Sequence, residues 1–137
     1  MGFALGAGQG LYRAERLLQT SDANNCMYLV VFVTCPADSA DKIAEEVLRR
    51  RLAACVNMLG GVRSRFWWEG KLDSADESLL LIKTRAELFR RLERVVRQVH
   101  PYEVPEILGI RVEDGSRPYL EWITNETASV ARKATKH

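Results

Sequence analysis

The sequence is poor in the residues from which cross-links and preformed metal sites are built. Its 137 residues include three cysteines and two histidines. The cysteines, Cys26, Cys35 and Cys55, are widely spaced and form no CxxC pair, which excludes a zinc ribbon and a thioredoxin motif. We interpret them as free thiols in a reducing compartment, which favours a cytoplasmic protein.

Long apolar runs and a strong charge imbalance are also missing. No stretch approaches the roughly 18 apolar residues of a membrane-spanning helix, so we expect no membrane span. Twenty basic residues against 18 acidic ones give a net charge of +2, which argues against a nucleic-acid partner held by bulk charge. A chain of this length, 47% hydrophobic, is sufficient for one globular domain with a buried core.

The two ends of the chain differ from its centre. Residues 1–26 contain four of the nine glycines and lack the basic start of a signal peptide, so we predict a flexible arm. Arg13 and Arg16 would suit the remnant of an organellar transit peptide, and a disordered extension is the alternative. We expect a folded domain over residues 27–127 and a frayed tail over residues 128–137.

The first half of this domain carries one strand pattern and one helix pattern. Residues 28–34 are apolar and β-branched, which is typical of a strand buried on both faces. Pro36 ends that run, and Asp38 or Ser39 is predicted to cap a following helix. Apolar residues at helical spacing over residues 40–48 predict an amphipathic surface helix.

A long hairpin is predicted next. Residues 62–68 alternate as in a strand, and residues 77–83 form the return strand. Glu69-Gly70-Lys71 supplies turn residues between them. The small apolar residues 52–59 lead into Gly60-Gly61, a pair that predicts a bulge or a bend rather than an end of the strand.

The second half repeats the pattern of helix and strand. Thr84 and Glu87 have the spacing of a capping box, and apolar residues at helical spacing follow over residues 88–99. Residues 106–112 are predicted as a fourth strand. Pro118 then suits the first turn of a short C-terminal helix.

The predicted order of elements is βαββαβ, which is an α+β sandwich of the ferredoxin-like type with an antiparallel sheet. Right-handed crossovers put both helices on one face of the sheet. The strands are apolar on both sides, as Leu79-Leu80-Leu81-Ile82 illustrates. We therefore expect another copy of the chain to cover the second face, and Leu80→Asp to break that assembly.

Six short motifs occur in the order found in one known family. They are Val33–Pro36, Arg51–Asn57, Trp68–Lys71, Ile82–Thr84, His100–Glu106 and Tyr119–Trp122. Together they resemble the CutA family of divalent-cation tolerance proteins over residues 28–127, and HPYEVPE at residues 100–106 is the most specific element. The resemblance implies a homotrimer packed through its sheets and a role in tolerance to divalent cations, especially copper. The same trimeric plan is shared by the PII signalling proteins, which bind small effectors between subunits.

Four residues are candidate ligands for copper or another divalent cation. Cys55 and Cys35 are soft ligands, although a buried cysteine more often behaves as a small hydrophobe. His100 either binds a metal or ends its helix by bonding a loop carbonyl. Glu103 is either a hard ligand or a solvated carboxylate. In a trimer, neighbouring chains could complete a set that one chain lacks.

A second group of candidates would bind a small anionic ligand. Lys83, Thr84 and Arg85 lie at the predicted start of a helix, where backbone amides favour anions. The alternative for Lys83 is a cation that ends a strand and extends into solvent.

The remaining candidates would line a polar cleft between subunits. Tyr102 and Glu106 belong to a loop stiffened by two prolines, and the alternative is a rigid turn before a strand. Trp68 and Trp122 are candidates for the same cleft, but core or interface anchors are the favoured interpretation.

The sequence does not indicate an enzyme. It contains no ordered Ser-His-Asp set and no paired catalytic carboxylates on a helix face, and without a glycine-rich phosphate loop we expect no organic cofactor. Three hypotheses remain. They are a trimeric copper or divalent-cation homeostasis protein, a PII-like sensor of a small anionic effector, and a trimeric assembly module for a protein partner.

Overall fold

The computed structural model describes residues 28–129, in which four strands and three helices form one βαββαβ unit with an added C-terminal helix. They are β1 (Tyr28–Cys35), α1 (Ala40–Arg49), β2 (Cys55–Trp68), β3 (Lys71–Arg85), α2 (Phe89–Val99), β4 (Ile107–Val112) and α3 (Arg117–Glu126). The predicted N-terminal arm, Cys26 and the tail from residue 130 onward lie outside the described residues. None of the helices within the described range is long and apolar enough to cross a bilayer.

The four strands form one antiparallel sheet in the order β2-β3-β1-β4. The central strand β1 pairs with β3 on one side and with β4 on the other, so that Val31 lies between Ile82 and Gly109. This order confirms the ferredoxin-like α+β fold predicted from the sequence.

One face of the sheet forms the core with α1 and α2. Alternate residues of β1, from Leu29 to Cys35, are buried toward the helices. Ile43 and Val47 of α1 and Leu92 and Val96 of α2 have no exposed surface. Each such aliphatic side chain stabilises the fold by about 1.5–3 kcal/mol relative to exposure. Leu80 is also fully buried on this face, so the prediction that Leu80→Asp tests assembly is wrong, because it would disrupt the core instead.

The opposite face of the sheet is also apolar, as the sequence predicted. Val30, Phe32 and Leu81 are half-buried on it. Leu108 is 56% exposed and Ile110 is 47% exposed on β4. We call this surface the open face.

Helix α3 covers one end of the open face, which the sequence had not indicated. The hydroxyl groups of Tyr28 and Thr124 lie 2.6 Å apart, and Arg85 Nε donates to Thr127 Oγ1 at 2.8 Å. Ile123 of α3 is buried, being 2% exposed. Part of the second face is therefore covered by helix α3 of the same chain, whereas the sequence led us to expect that another copy would cover all of it.

The predicted helix caps are wrong at both helices of the core. Short 3₁₀ turns, Ala37–Ser39 and Ala86–Leu88, lead into α1 and α2, and neither helix has a side-chain cap. Thr84 is instead a buried residue of β3 whose hydroxyl donates to the Leu52 carbonyl at 2.6 Å. The Thr84 hydroxyl therefore makes a tertiary hydrogen bond instead of the capping-box bond that its spacing from Glu87 predicted.

The β2–β3 hairpin is longer than predicted, since β3 begins at Lys71 rather than near residue 77. Glu69 and Gly70 have φ angles of 49° and 79°, as a two-residue type I′ turn requires. The register shifts between Leu59 and Val62, which confirms the predicted bulge. Residues 71–77 pair with β2 alone, so the end of the hairpin projects beyond the sheet.

Candidate functional site

A cleft of about 680 Å³ lies between the projecting hairpin and the loop that follows α2. Cross-strand pairing puts Phe66 opposite Asp73. Because side chains alternate along a strand, Phe66, Asp73 and Glu77 all face the same side of the hairpin, which is the side of the cleft. Tyr102 and Glu103 contribute to the opposite wall.

His100 fixes this loop to the sheet. Its Nε2 lies 2.8 Å from the carbonyl oxygen of Thr34, and the Tyr102 amide donates to its Nδ1 at 3.1 Å. Because Nδ1 accepts, the ring proton is assigned to Nε2, which donates to the carbonyl. Both nitrogens of this buried histidine are engaged within the chain, as in the interpretation of a helix-ending residue bonded to a carbonyl.

Tyr102 ties the loop to the hairpin. Its hydroxyl donates to Glu77 Oε2 at 2.8 Å. Burial raises the pKa of Tyr102 to about 12, and the hydrogen bond to Glu77 and the negative charge of that residue add to the shift. The phenol therefore stays a hydrogen-bond donor at neutral pH.

Four carboxylates line the cleft, at Asp73, Glu77, Glu103 and Glu106. Glu106 accepts a hydrogen bond from the Thr34 hydroxyl at 3.2 Å. Within the described part of the chain, Arg65 is the one basic residue that lines the cleft, and strand alternation directs its side chain to the other side of the hairpin. The cleft is therefore acidic and suits a cation.

The two predicted thiol ligands are far apart. Cys35 pairs with Ser78 of β3, whereas Cys55 pairs with Lys83. Those partners are an odd number of residues apart, so the thiols lie on opposite faces of the sheet, separated by about 17 Å along the strand. The structure does not bring Cys35 and Cys55 together within one chain.

The chemistry of each thiol also differs. Cys35 is fully buried, and burial raises its pKa to about 11, with further contributions from the charges of Glu77 and Asp38. A protonated thiol is a poor metal ligand. Cys55 is half-buried near Tyr119 of α3, whose pKa is raised by burial first and then by Cys55.

No three His, Cys, Asp or Glu side chains among residues 28–129 are grouped so that they could hold a metal ion. Of the predicted metal ligands, Glu103 lies in the cleft with its carboxylate exposed, while His100 and Cys35 are enclosed behind it. A metal site with a full ligand set is therefore not built by residues 28–129 of a single chain.

The predicted anion-binding residues already have partners. Lys83 donates to Asn57 Oδ1, and Thr84 bonds the Leu52 carbonyl. Arg85 bonds Glu87, Thr127 and the carbonyl of Ala128. These contacts give all three side chains a structural role at the end of the sheet that α3 covers.

The two predicted tryptophans lie in different places. Trp68 lines the cleft and is 50% exposed. Trp122 lies on α3, where its ring centroid is 5.5 Å from that of Tyr119. The cleft therefore brings together Trp68 with Tyr102, Glu103 and Glu106, and leaves Trp122 outside.

Sequence reasoning missed Phe66, Asp73 and Glu77 as cleft residues. The signal that could have found Glu77 is its alternation with Leu79 and Leu81, which extends the same side of β3. Finding Phe66 and Asp73 required the register of the hairpin, which depends on the position of the bulge.

A family model described as CutA1 divalent ion tolerance protein matches residues 29–126. The chain belongs to this family. Among curated relatives, Protein CutA of Mus musculus is 45% identical over 105 residues, which make up 76% of this chain and 59% of the relative. The matched part of the chain thus spans about three fifths of that relative.

Solved structures of the family share this fold. The crystal structure of CutA1 from Oryza sativa superposes with a TM-score of 0.73 at 39% identity, covering 75% of this chain and 95% of that one. A rice relative carries the name Protein CutA 1, chloroplastic, and is 43% identical over 100 residues, 72% of this chain and 56% of that protein. The divalent cation tolerance protein of Thermus thermophilus has a TM-score of 0.73 at 40% identity and covers 74% of this chain and 100% of that one.

Proposed function

We propose that this chain acts in divalent-cation tolerance as a homotrimer that binds copper or another divalent cation in its acidic cleft, without enzymatic activity. The observation that carries the proposal is the set of four cleft carboxylates, which Arg65 does not neutralise. Carboxylate oxygens are ligands for divalent cations. The family to which the chain belongs is described by tolerance to divalent ions.

Assembly would supply the metal ligands that residues 28–129 of a single chain do not bring together. The open face leaves Leu108 and Ile110 about half exposed, and burying such a surface against further copies is the economical arrangement. Of the four predicted metal ligands we retain Glu103 in the cleft, because Cys35 is enclosed and both nitrogens of His100 are engaged. Cys55 does not line the cleft of its own chain, so we retain it only as a ligand that a neighbouring copy would bring. A neighbouring copy would complete the ligand set beside Glu103 and Glu106.

The free thiols of Cys35 and Cys55 support a reducing compartment, which we take to be the cytoplasm. An organelle is the alternative if residues 1–26 direct transport. We propose residues 27–127 as the folding unit, and residues 1–26 and 128–137 as extensions of it.

An assembly module for a protein partner is a second candidate. The end of the hairpin supports it, because Trp67 is 71% exposed and Leu72 is 58% exposed there. A PII-like site for a small anionic effector has less support, since Lys83 and Arg85 are bonded within the chain.

Calorimetric titration of the reduced, metal-free protein with Cu(I), Cu(II) and Zn(II) tests the proposal. The parent should bind at micromolar or lower concentration, and Glu103→Gln/Glu106→Gln should weaken binding by about tenfold or more, because the variant replaces two charged oxygen ligands by neutral amides. Cys55→Ser reports the contribution of the thiol to Cu(I). Glu45→Gln, an exposed change on α1, is the control. No binding by the parent, or equal binding by parent and cleft variant, would favour the assembly module.

A further inference from the structure

The outer surface of helix α2 carries a row of exposed arginines. Arg90, Arg94 and Arg97 are separated by four and three residues, which puts them on one side of the helix, about 10 Å from first to last. Arg91 is exposed beside them. Val96 of the same helix faces the core, so these side chains point away from the sheet. We call the four residues the arginine row.

Most of the arginine row has no acidic partner. Arg90 pairs with Glu93 at 3.0 Å, and no ion pair joins the other three members to any residue in the range 28–129. On α1, by contrast, Glu46 accepts hydrogen bonds from both Arg49 and Arg50. Like charges three and four residues apart destabilise a helix, so the row is unfavourable for α2 unless an anion compensates it.

The arginine row is a local excess of charge on a chain that has little net charge. The whole chain carries +2. Helix α2, with four arginines and one glutamate among its 11 residues, carries +3 by itself. All other residues together therefore carry a slight negative charge, and the positive charge is concentrated on one helix.

The arginine row lies on the opposite side of the sheet from the open face. Helices α1 and α2 both pack on the core face, whereas Leu108 and Ile110 of β4 belong to the open face. Copies that cover the open face would leave the outer surface of α2 accessible. Assembly through that face would therefore not supply the missing acidic partners.

The ends of the chain outside the described range do not supply them either. Residues 1–27 contain two basic and two acidic residues, and residues 130–137 contain three basic residues and no acidic one. Two copies that met through their arginine rows would bring like charges together. A different molecule is therefore the source of the compensating charge.

The surroundings of the arginine row favour a short acidic protein segment over other polyanions. A nucleic-acid duplex carries a charge for about every 1.7 Å of its length, and it would extend beyond the row onto a surface that includes Glu87 and Glu93. Along Phe89–Val99 no exposed residue is apolar, whereas a helix that binds a membrane surface needs an apolar side. Carboxylates match the guanidinium group with two parallel hydrogen bonds.

The spacing of the arginine row matches that of charges on a second helix. Its successive members Arg90, Arg94 and Arg97 are about 6 Å and about 4.5 Å apart along the helix axis. Carboxylates three and four residues apart on another helix have the same separations. We propose that the arginine row docks an acidic α-helix of a partner protein. This surface is separate from the acidic cleft and from the end of the hairpin, so the inference does not rest on metal binding.

Nuclear magnetic resonance titration of the full chain at low ionic strength tests the proposal, because the Nε–Hε signals of arginine side chains report their contacts directly. The probe is an end-capped, alanine-rich helical peptide with glutamates at i, i+4 and i+7, and the same peptide with glutamines is its control. The glutamate peptide should shift the signals of Arg94 and Arg97, and the glutamine peptide should not. The shifts should decrease as salt is added, since exposed charges are screened.

Paired variants locate the contact. Arg94→Gln/Arg97→Gln should weaken binding of the glutamate peptide by about fivefold, the size expected from the loss of two exposed charge pairs. Arg49→Gln/Arg50→Gln removes the same charge from α1 and should leave binding unchanged. In thermal unfolding, Arg94→Gln/Arg97→Gln should be as stable as the parent or more stable, because repulsion along α2 is reduced.

Charge reversal tests whether the contact is direct. Arg94→Glu/Arg97→Glu should no longer bind the glutamate peptide, and it should bind the peptide in which lysines replace the glutamates. Recovery of binding by reversal on both sides supports the proposal, because a change in the fold of the variant would not restore it.

The other results would overturn the proposal. They are the absence of shifts with the glutamate peptide, equal weakening by the α1 variant, and tighter binding of a DNA duplex or of vesicles that contain phosphatidylserine. Salt-dependent association of the parent beyond its normal assembly would identify a second copy as the occupant instead. Copper titration of Arg94→Gln/Arg97→Gln should match that of the parent, so failure of the metal proposal and failure of this inference are distinguishable.

Discussion

At the scale of single residues, the buried thiol of Cys35 and the phenol of Tyr102 connect the chemistry of the cleft region to stability. Burial raises the pKa of Cys35 to about 11 and that of Tyr102 to about 12. The negative charge of Glu77 adds to both shifts. Their neutral forms are therefore favoured in the folded protein. In the unfolded chain the same groups return to ordinary values of 9.0 and 10.0.

This difference predicts a loss of stability in alkali. Below pH 9 both groups are protonated in the folded and in the unfolded state, so the full stability is present. As the pH rises from about 9 toward 11, the unfolded chain loses protons that the folded chain retains. The free energy of unfolding therefore falls over this range. Urea unfolding at pH 8, 9, 10 and 11 measures this. The fall should be shallower in Cys35→Ala, with Cys55→Ala as the matched control. An identical pH dependence of stability in the parent, Cys35→Ala and Cys55→Ala would contradict the role given to the Cys35 thiol.

The sequence indicated the residue types of the site better than their roles. Four residues of the HPYEVPE segment line the cleft: the predicted Tyr102, Glu103 and Glu106, and also Val104. The role of His100 depended on the Thr34 carbonyl, which is far from it in sequence and adjacent only in the folded sheet. Local spacing carries no information on such a contact.

At the scale of elements, strands and helices followed from periodicity, whereas their ends did not. The apolar stripes predicted α1 and α2 because those residues face one core. The start of β3 was missed because residues 71–76 are mostly polar and pair with β2 alone. Their strand conformation follows from the turn at Glu69-Gly70 and not from burial.

Helix α3 is the element that the sequence placed least well, and its attachment is testable. Ile123 is its buried anchor on the end of the open face. Ile123→Ala should lower the free energy of unfolding by about 2–4 kcal/mol, because it removes buried methylene groups and leaves a cavity. Hydrogen exchange should also become faster in α3 before the rest of the sheet. Asn125→Ala, an exposed change on the same helix, is the control; equal stability of the two variants would show that α3 is not anchored there.

At the scale of the whole molecule, the remaining open face determines how copies would associate. The sequence indicated that both faces of the sheet are apolar, but the run Leu79-Leu80-Leu81-Ile82 gives no sign of which residues face the helices. Pairing across β1 decides this, since Val33 and Val31, which are both buried, lie opposite Leu80 and Ile82. The side chains available for assembly are therefore those of the alternate set.

Substitution on β4 should separate assembly from folding. Ile110→Asp introduces a charge at a half-exposed position of the open face, so the single chain should fold while the trimer is lost, because assembly would bury an unpaired charge. The mass measured by sedimentation should then fall from that of three chains to that of one chain. Arg111→Gln, directed to the other face of the same strand, should leave the mass unchanged. A trimer that persists in Ile110→Asp would mean that the open face is not the interface.

Native mass spectrometry of the reduced protein with added Cu(II) tests the central claim most directly, because one spectrum reports both the number of chains and the number of bound ions. The account predicts an assembly of three chains that carries Cu(II), and loss of the ions with retention of the assembly in Glu103→Gln/Glu106→Gln. A single chain, or an assembly that holds the same copper in parent and variant, would contradict the acidic cleft as the cation site.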